Sequence, residues 1–271
     1  MNSGMKIKEL QNQDENISIL AAQREMYTQA KRYGNIHTVV SLGIPLVFTV
    51  VQLFFQVPFA VIVTVNFIVF IIGSWVGRKP GELSLKAAGM QQTFDAKVYG
   101  IHFGNTVDSP KDVRKYAGMY KKRNGDFAEL NDWYTVPIEE LRAGQAIAAC
   151  QRQNAAWTSS LFTRFCVTEL VLSLAAVSVL IVSIIALQRD PAGLFYLLPV
   201  CEWFLRSLNE GMEKTHVARK LNDELQRRDL DVQKEILATQ GYIYEYRRAA
   251  FSVPDWFYKR SKKRDECKSL S

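Results

Sequence analysis

The sequence predicts an all-α membrane protein with two transmembrane helical hairpins, a mainly helical cytoplasmic insert and a long C-terminal cytoplasmic helix. Three observations lead to this fold class. Long apolar runs occur in two pairs, within residues 36–76 and 165–208. The link inside each pair is too short for anything but a hairpin, which gives four spans. Almost all basic residues lie outside the pairs. A bilayer core needs about 20 apolar residues per helix, and most of the runs approach that length.

Residues 1–35 are polar with a helical apolar repeat, which predicts one or two amphipathic cytoplasmic helices. Transmembrane hairpin 1 follows at 36–76. Its two runs, 37–55 and 59–76, contain no formally charged residue. Pro45 predicts a kink in the first run, because proline removes a backbone donor and its ring clashes with the preceding turn. Trp75 is expected at the membrane interface.

Residues 77–164 form a cytoplasmic insert, which is the candidate sensor. Helices are expected at 82–100 and 108–123, the second with Asp108 or Ser109 as its N-cap. From Pro137 a helical pattern continues without a breaker into the third apolar run. A single helix is therefore expected to leave the cytoplasm and cross the bilayer.

The two apolar runs of transmembrane hairpin 2, at 165–208, contain three charged residues that we name as intramembrane polar candidates: Glu169, Glu202 and Arg206. Each charge near the middle of a span costs about 2.5–3.5 kcal/mol, so these side chains need partners. Glu202 and Arg206 lie one helical turn apart on the same face. They form either an ion pair that fixes helix packing, with Glu169 as a third partner, or a polar stripe that lines a pore.

The C-terminal region, 209–271, begins as a charged helix with a narrow apolar seam over 212–246, suited to helix pairing or docking. The seam consists of Val217, Leu221, Leu225, Val232, Ile236 and Ile243. The basic, aromatic tail at 252–271 is expected to lie at lipid headgroups.

Charge predicts the orientation in the membrane. The chain has 34 Lys and Arg residues against 27 Asp and Glu, a net charge of +7. The only basic residue in the two short connectors is Arg189. The positive-inside rule therefore predicts a multi-pass protein of a bacterial inner membrane with both termini cytoplasmic. The modest basic excess favours contact with a lipid bilayer and gives no argument for long nucleic acid. The first residues lack the apolar core of a signal peptide.

No enzyme is indicated, since the chain has no GxSxG, Walker A, HExxH or strand-linked GxGxxG motif. No metal or other cofactor is expected. The four cysteines have no metal-ligand spacing and are interpreted as reduced packing residues: Cys150, Cys166, Cys201 and Cys267.

Two groups of residues offer chemistry for a phosphorylated ligand. The basic run Lys121, Lys122 and Arg123 is either a phosphate site or a solvated or membrane-facing patch. Trp133, Tyr134 and Trp157 present stacking faces, and Arg152 is a fork donor, a combination that can hold a nucleobase and its phosphate. Aromatic core packing is the alternative interpretation for these rings.

The stretches QQTFDAKVYGIHFGN, NDWY, CQRQNAAW and PDWFYKRSKKRDE, set around two membrane hairpins, resemble the SMODS-associated four-transmembrane family over nearly the whole chain. The motifs that carry the resemblance are Phe94-Asp95, Trp133-Tyr134 and Cys150-Gln151-Arg152 with Asn154. The family comprises pore-forming effectors of bacterial cyclic-oligonucleotide anti-phage signalling (CBASS).

The resemblance implies that a cyclic oligonucleotide from a partner nucleotidyltransferase activates the protein. The activated protein would oligomerise with itself or open, breach the inner membrane and kill or arrest the infected cell. The candidate ligand-binding residues are Lys121, Lys122, Arg123, Trp133, Tyr134, Arg152, Asn154 and Trp157. The alternative is a membrane-anchored scaffold that recruits a soluble partner through 212–246 without conducting ions.

Overall fold

Helices make up nearly all of the regular structure in the computed structural model, which describes residues 1–55, 57–186, 197–226 and 233–249. Within these ranges there is no β-strand, which confirms the predicted all-α class. The elements are α1 (Gly4–Gln11), α2 (Asp14–Thr38), a π-helix (Val39–Gly43), α3 (Ile44–Phe54), α4 (Phe59–Val76), α5 (Lys79–Tyr99), α6 (Pro110–Asn124), a 3-10 turn (Ala128–Leu130), α7 (Ala143–Ala186), α8 (Leu197–Gln226) and α9 (Gln233–Ala249).

A helical core is built around α2, whose Leu20 and Met26 are fully buried. This helix packs against α5, which contributes the fully buried Met90 and Phe94, and against α6. Each such side chain contributes about 1.5–3 kcal/mol by leaving water. Residues 1–35 therefore share one core with the insert at 77–164.

The start of α6 follows the predicted chemistry. The Ser109 hydroxyl accepts a hydrogen bond from the backbone N–H of Asp112 at 3.4 Å, and Pro110 occupies the first turn. Proline fits there because its missing N–H would have no partner inside the helix. Of the two expected N-caps, Ser109 is the one that the structure uses.

Helix α7 is continuous over 44 residues, about 66 Å, from the helical core into the third apolar run. The predicted passage of one helix between these regions is confirmed. Its start is six residues later than Pro137, the position expected from the sequence. The backbone at 137–142 instead forms a turn, in which the fully buried Ile138 packs its carbonyl directly against Gly4 of α1. This tertiary contact overrides the local helical pattern.

The predicted single C-terminal helix is wrong, since the seam region is divided between α8 and α9. Arg248 of α9 lies 3.3 Å from Glu213 of α8. In one straight helix, these two residues would be about 50 Å apart. The two helices therefore run antiparallel, and the seam residues Leu221, Ile236 and Ile243 are buried within the chain.

Within the described residues, one helical stretch is long and apolar enough to cross a membrane, Phe59–Tyr99, which covers α4 and α5. Only 28% of its most apolar window is buried, unlike the core helix of a soluble protein. Phe67 and Trp75 of α4 are exposed. The distal half of α7 is exposed in the same way at Val182 and Ile185. The connector 188–193 and the tail 252–271, to which predictions were attached, lie outside the described residues.

Candidate functional site

A buried polar network is centred on Asp95 of α5, whose side chain is fully buried. Its Oδ2 accepts hydrogen bonds from Arg247 Nη1 at 2.6 Å and from Gln240 Nε2 at 2.7 Å, both from α9. Its Oδ1 accepts from the Tyr134 hydroxyl at 2.6 Å. A carboxylate this deep needs such partners, because an unpaired buried charge is strongly destabilising.

The Asp95 network extends to α7 and to a second tyrosine. The Tyr99 hydroxyl donates to the Tyr134 hydroxyl at 2.7 Å, and Asn154 Nδ2 lies 3.2 Å from the same oxygen. Gln151 Nε2 donates to Gln240 Oε1 at 2.9 Å. Residues from α5, α7, α9 and the segment before α7 therefore meet at one point, and they include members of all three short motifs that carry the family resemblance.

Burial and the central charge determine the protonation of the network. Burial lowers the pKa of Arg247, but the charge and hydrogen bond of Asp95, together with Tyr134 and Tyr27, raise this pKa above its usual value. Burial, and then the same carboxylate, raise the pKa of the Tyr134 phenol well above its usual value. Burial raises the pKa of the Cys150 thiol to about 12, with Asp95 adding to the effect. The network thus holds the Asp95–Arg247 ion pair among neutral donors, and burial disfavours the thiolate form of Cys150 that a nucleophile needs.

One donor in this network is left over. Arg247 Nη2 is buried and has no hydrogen-bond partner among the described residues. The network joins helices and holds charge, and it offers no metal site. In the described ranges no group of three or more His, Cys, Asp or Glu side chains could hold a metal ion.

The structure closes Tyr134 to a stacking ligand. Its ring packs in the core beside Phe94 and Tyr99, with ring centroids 6.2 and 5.7 Å away. Trp133 is half-buried, and Arg152, two residues before Asn154, is exposed. The Trp157 side chain lies outside the described part of the structure. Tyr134 is therefore a core residue, which agrees with the alternative interpretation of aromatic core packing.

The basic run lies in the last turn of α6, where Lys121, Lys122 and Arg123 are exposed. Arg123 Nη2 is 2.7 Å from Oε1 of Glu25, a fully buried residue of α2. Lys121 Nζ lies 5.9 Å from the centre of the Phe127 ring. Arg123 thus forms an ion pair with the buried Glu25, whereas the Lys122 side chain is exposed to solvent.

A second polar cluster joins three of the apolar elements, and we call His37, Gly77, Glu202 and Arg206 the membrane clasp. Glu202 Oε1 accepts from Arg206 Nη2 at 2.6 Å and from Nε at 2.9 Å. Its other oxygen, Oε2, lies 3.4 Å from His37 Nε2. Arg206 Nη1 donates to the Gly77 carbonyl at 3.3 Å.

The clasp places the charges of α8 at one end of the apolar elements. His37 stands at the start of the first apolar run, and Gly77 directly follows the second. The two charges predicted to lie inside the bilayer therefore pair at the level where the first hairpin begins and ends. The Glu169 side chain, their predicted third partner, lies outside the described residues.

The spacing Gly73-x-x-x-Gly77 is a sequence signal for the clasp that was not among the predictions. This small-xxx-small spacing lets helices approach closely. A Cβ atom on Gly77 would lie 3.0 Å from the His37 ring, and one on Gly73 would lie 2.4 Å from Ser41 Oγ. Each glycine is required by the segment opposite it.

Comparisons with known proteins place the chain beside one family and one relative. A family model described as the SMODS-associating 4TM effector domain matches residues 5–269. A probable CBASS effector molecule of Bacillus cereus (strain VD146) is 25% identical over 297 residues, which covers 97% of this chain and 95% of that protein. No solved structure matches the chain.

Proposed function

The chain belongs to the SMODS-associating 4TM effector family, and from that premise we propose that it is an inner-membrane effector of bacterial anti-phage defence. A cyclic oligonucleotide made by a partner nucleotidyltransferase activates it. The activated protein, a homo-oligomer with four spans per subunit and both termini in the cytoplasm, opens a pore in the membrane. The Bacillus cereus relative, described as a probable CBASS effector, supports this biological setting.

One observation carries the proposal, namely that α7 is a single helix with two different environments. Near its start, Ala146, Ile147 and Cys150 are fully buried in the helical core. Toward its end, Val182 and Ile185 are 63% and 70% exposed, as lipid-facing side chains would be. A continuous helix transmits displacement along its axis, so a change in the core moves the apolar half directly.

The Asp95 network supplies the connection between sensor and membrane. It bonds the start of α7, through Gln151 and Asn154, to Gln240 and Arg247 of α9. Helix α9 in turn contacts α8, which carries the fourth apolar run. A ligand that shifts the network therefore biases both helices of the second hairpin, which is the coupling that a gated pore requires.

Exposure narrows the choice of ligand-binding residues. Arg152 and Lys122 are open to solvent and can contact phosphate, and Trp133 and Trp157 are the remaining stacking candidates. Tyr134 and Asn154 act from behind this surface, through the Asp95 network. Replacing Arg152 with Ala is expected to weaken ligand binding without unfolding the core, because this side chain is exposed.

The test is co-expression with the cognate nucleotidyltransferase while inner-membrane potential is followed with a voltage-sensitive dye. Depolarisation should require an active synthase, and a catalytically inactive synthase is the control. Purified protein in liposomes should release ions when the cyclic product is added. Cell death with retained membrane potential would reject the pore and favour recruitment of a soluble partner.

The role of α7 can be isolated with one substitution. Ala155→Pro interrupts the helix between its two environments and costs about 3 kcal/mol of helix stability. We expect this variant to bind the nucleotide and yet fail to depolarise the membrane. Ala155→Ser is the matched control, since serine keeps the backbone donor. Full depolarisation by the proline variant would show that α7 does not transmit the signal.

A further inference from the structure

We infer that the membrane clasp and the π-helix beside it form a latch, which must open before the membrane segments can rearrange. This inference rests on the proposed function, since it concerns how that pore is held shut. It adds a location and a moving part, neither of which follows from the family of the chain. Three features of the structure support it.

The clasp is the first feature, because it is built from charge and spans three elements. Glu202 and Arg206 belong to α8, His37 to the end of α2, and the Gly77 carbonyl to the end of α4. A further hydrogen bond, from Trp203 Nε1 to Thr38 Oγ1 at 3.3 Å, joins α8 to α2 again. Residues 202, 203 and 206 lie on one face of α8. A rotation of α8 would therefore break its bonds to His37, Thr38 and Gly77 together, whereas the Glu202–Arg206 pair lies within α8 and would be kept.

The π-helix Val39–Gly43 is the second feature, and it begins directly after Thr38. Pro45 explains it, since the ring of a proline clashes with the carbonyl four residues earlier, here that of Ser41, in an ordinary α-helix. Widening the turn removes the clash. Because a π-turn holds one extra residue, its loss would turn α3 by about 100° against α2. Single π-turns are frequent at functional sites.

The third feature is the contact that links the clasp to the π-helix. Gly73 of α4 faces Ser41, and Gly77, which directly follows α4, faces His37. The two glycines are four residues apart, as are Ser41 and His37, so the two contacts lie one helical turn apart. Ser41 is 1% exposed, and its hydroxyl has no hydrogen-bond partner among the described residues. The π-turn is thus held by close packing against α4 and by the clasp. The buried Ser41 hydroxyl adds no hydrogen bond that would stabilise it further. Opening the clasp removes the restraint on one side.

The contact between Ser41 and Gly73 allows the latch to be fixed chemically. A Cβ on Gly73 would lie 3.7 Å from Ser41 Cβ, within the 3.5–4.5 Å range typical of disulfides. In the full-length chain, the Ser41→Cys plus Gly73→Cys variant should form this disulfide on mild oxidation. With the active synthase present, the oxidised variant should preserve membrane potential. The reduced variant and both single-cysteine variants should depolarise. Depolarisation by the oxidised variant, with or without the synthase, would overturn the latch.

A second measurement needs no pore activity, so failure of the latch and failure of the proposed function are distinguishable. In purified protein, Glu202→Gln plus Arg206→Gln should slow formation of the 41–73 disulfide by about tenfold, because the charge-assisted bonds of the clasp are lost. Leu205→Ala, on the exposed side of α8, is the matched control and should leave the rate unchanged. Equal rates in the clasp variant and the control would refute the latch, whatever the protein does to membranes.

Discussion

The ion pair between Asp95 and Arg247 gives the sharpest test of the core, because the next residue in the chain provides its own control. Arg247 lies 2.6 Å from Asp95, and the two side chains are 7% and 0% exposed. Arg248 pairs with Glu213 and Glu245, and all three of these side chains are about half exposed. The two arginines are thus neighbours in the same helix and differ in how deeply their side chains are buried.

Arg247→Met should destabilise the protein by about 3–5 kcal/mol, since it leaves the Asp95 carboxylate buried without its counter-charge. Arg248→Met should cost less than about 1 kcal/mol, because exposed ion pairs are screened by water. For a chain of this size, the first loss lowers the melting temperature by about 10 °C and the second by no more than about 3 °C. Thermal unfolding of the detergent-purified variants, followed by far-UV circular dichroism, measures both.

A double variant separates the ion pair from simple loss of packing. Asp95→Leu plus Arg247→Met removes both charges and should recover part of the stability lost in Arg247→Met, because no unpaired charge remains. The reasoning would be refuted if Arg247→Met and Arg248→Met shifted the melting temperature equally. It would also be refuted if the double variant lost more free energy of unfolding than the two single variants lose when their losses are added.

Three further predictions concern single contacts. In a variant that keeps Cys150 as its only cysteine, a maleimide should not label the native protein near neutral pH and should label it fully after unfolding, since the thiol is buried with its pKa raised to about 12; labelling of the folded form would contradict this. Because the pKa of Tyr134 is raised in the folded protein, its contribution to stability is complete below the ordinary tyrosine value of about 10 and is lost as the pH rises above it. Chemical denaturation at increasing pH should therefore show an alkaline loss of stability that is smaller in Tyr134→Phe, and equal losses would count against the prediction. Gly73→Ala should lower the melting temperature, because the new Cβ would sit 2.4 Å from Ser41 Oγ, and adding Ser41→Ala should restore it, with no recovery counting against that contact.

Several elements were predictable from local sequence because local forces decide them. The uninterrupted pattern leading into the third apolar run indicated a single helix, and α7 is one. Ser109 followed by Pro110 specified the start of α6 through capping that involves only neighbouring residues. Pro45 indicated a distortion of the first run, although the π-helix form that it takes was not predicted.

The candidate site was predictable only in part. Tyr134 and Asn154 were named as ligand contacts, and the structure shows in addition that both belong to the Asp95 network. Gln240 and Arg247 were missed altogether, since they lie more than 80 residues away from the other members and no periodicity connects them. The pairing of His37 with Glu202 was not predicted, because the two residues are 165 positions apart in the sequence.

The sequence alone determined the features that depend on neighbours along the chain. These are the helical secondary structure, the apolar runs, the helix caps and the separation of charged segments from apolar ones. The tertiary structure decided which distant polar groups meet, namely Asp95 with Arg247 and Glu202 with His37. It also folded α9 back on α8, against the expectation of one long helix. The physical reason is that a buried charge must find its partner in space, and spacing along a sequence carries no record of where two helices cross.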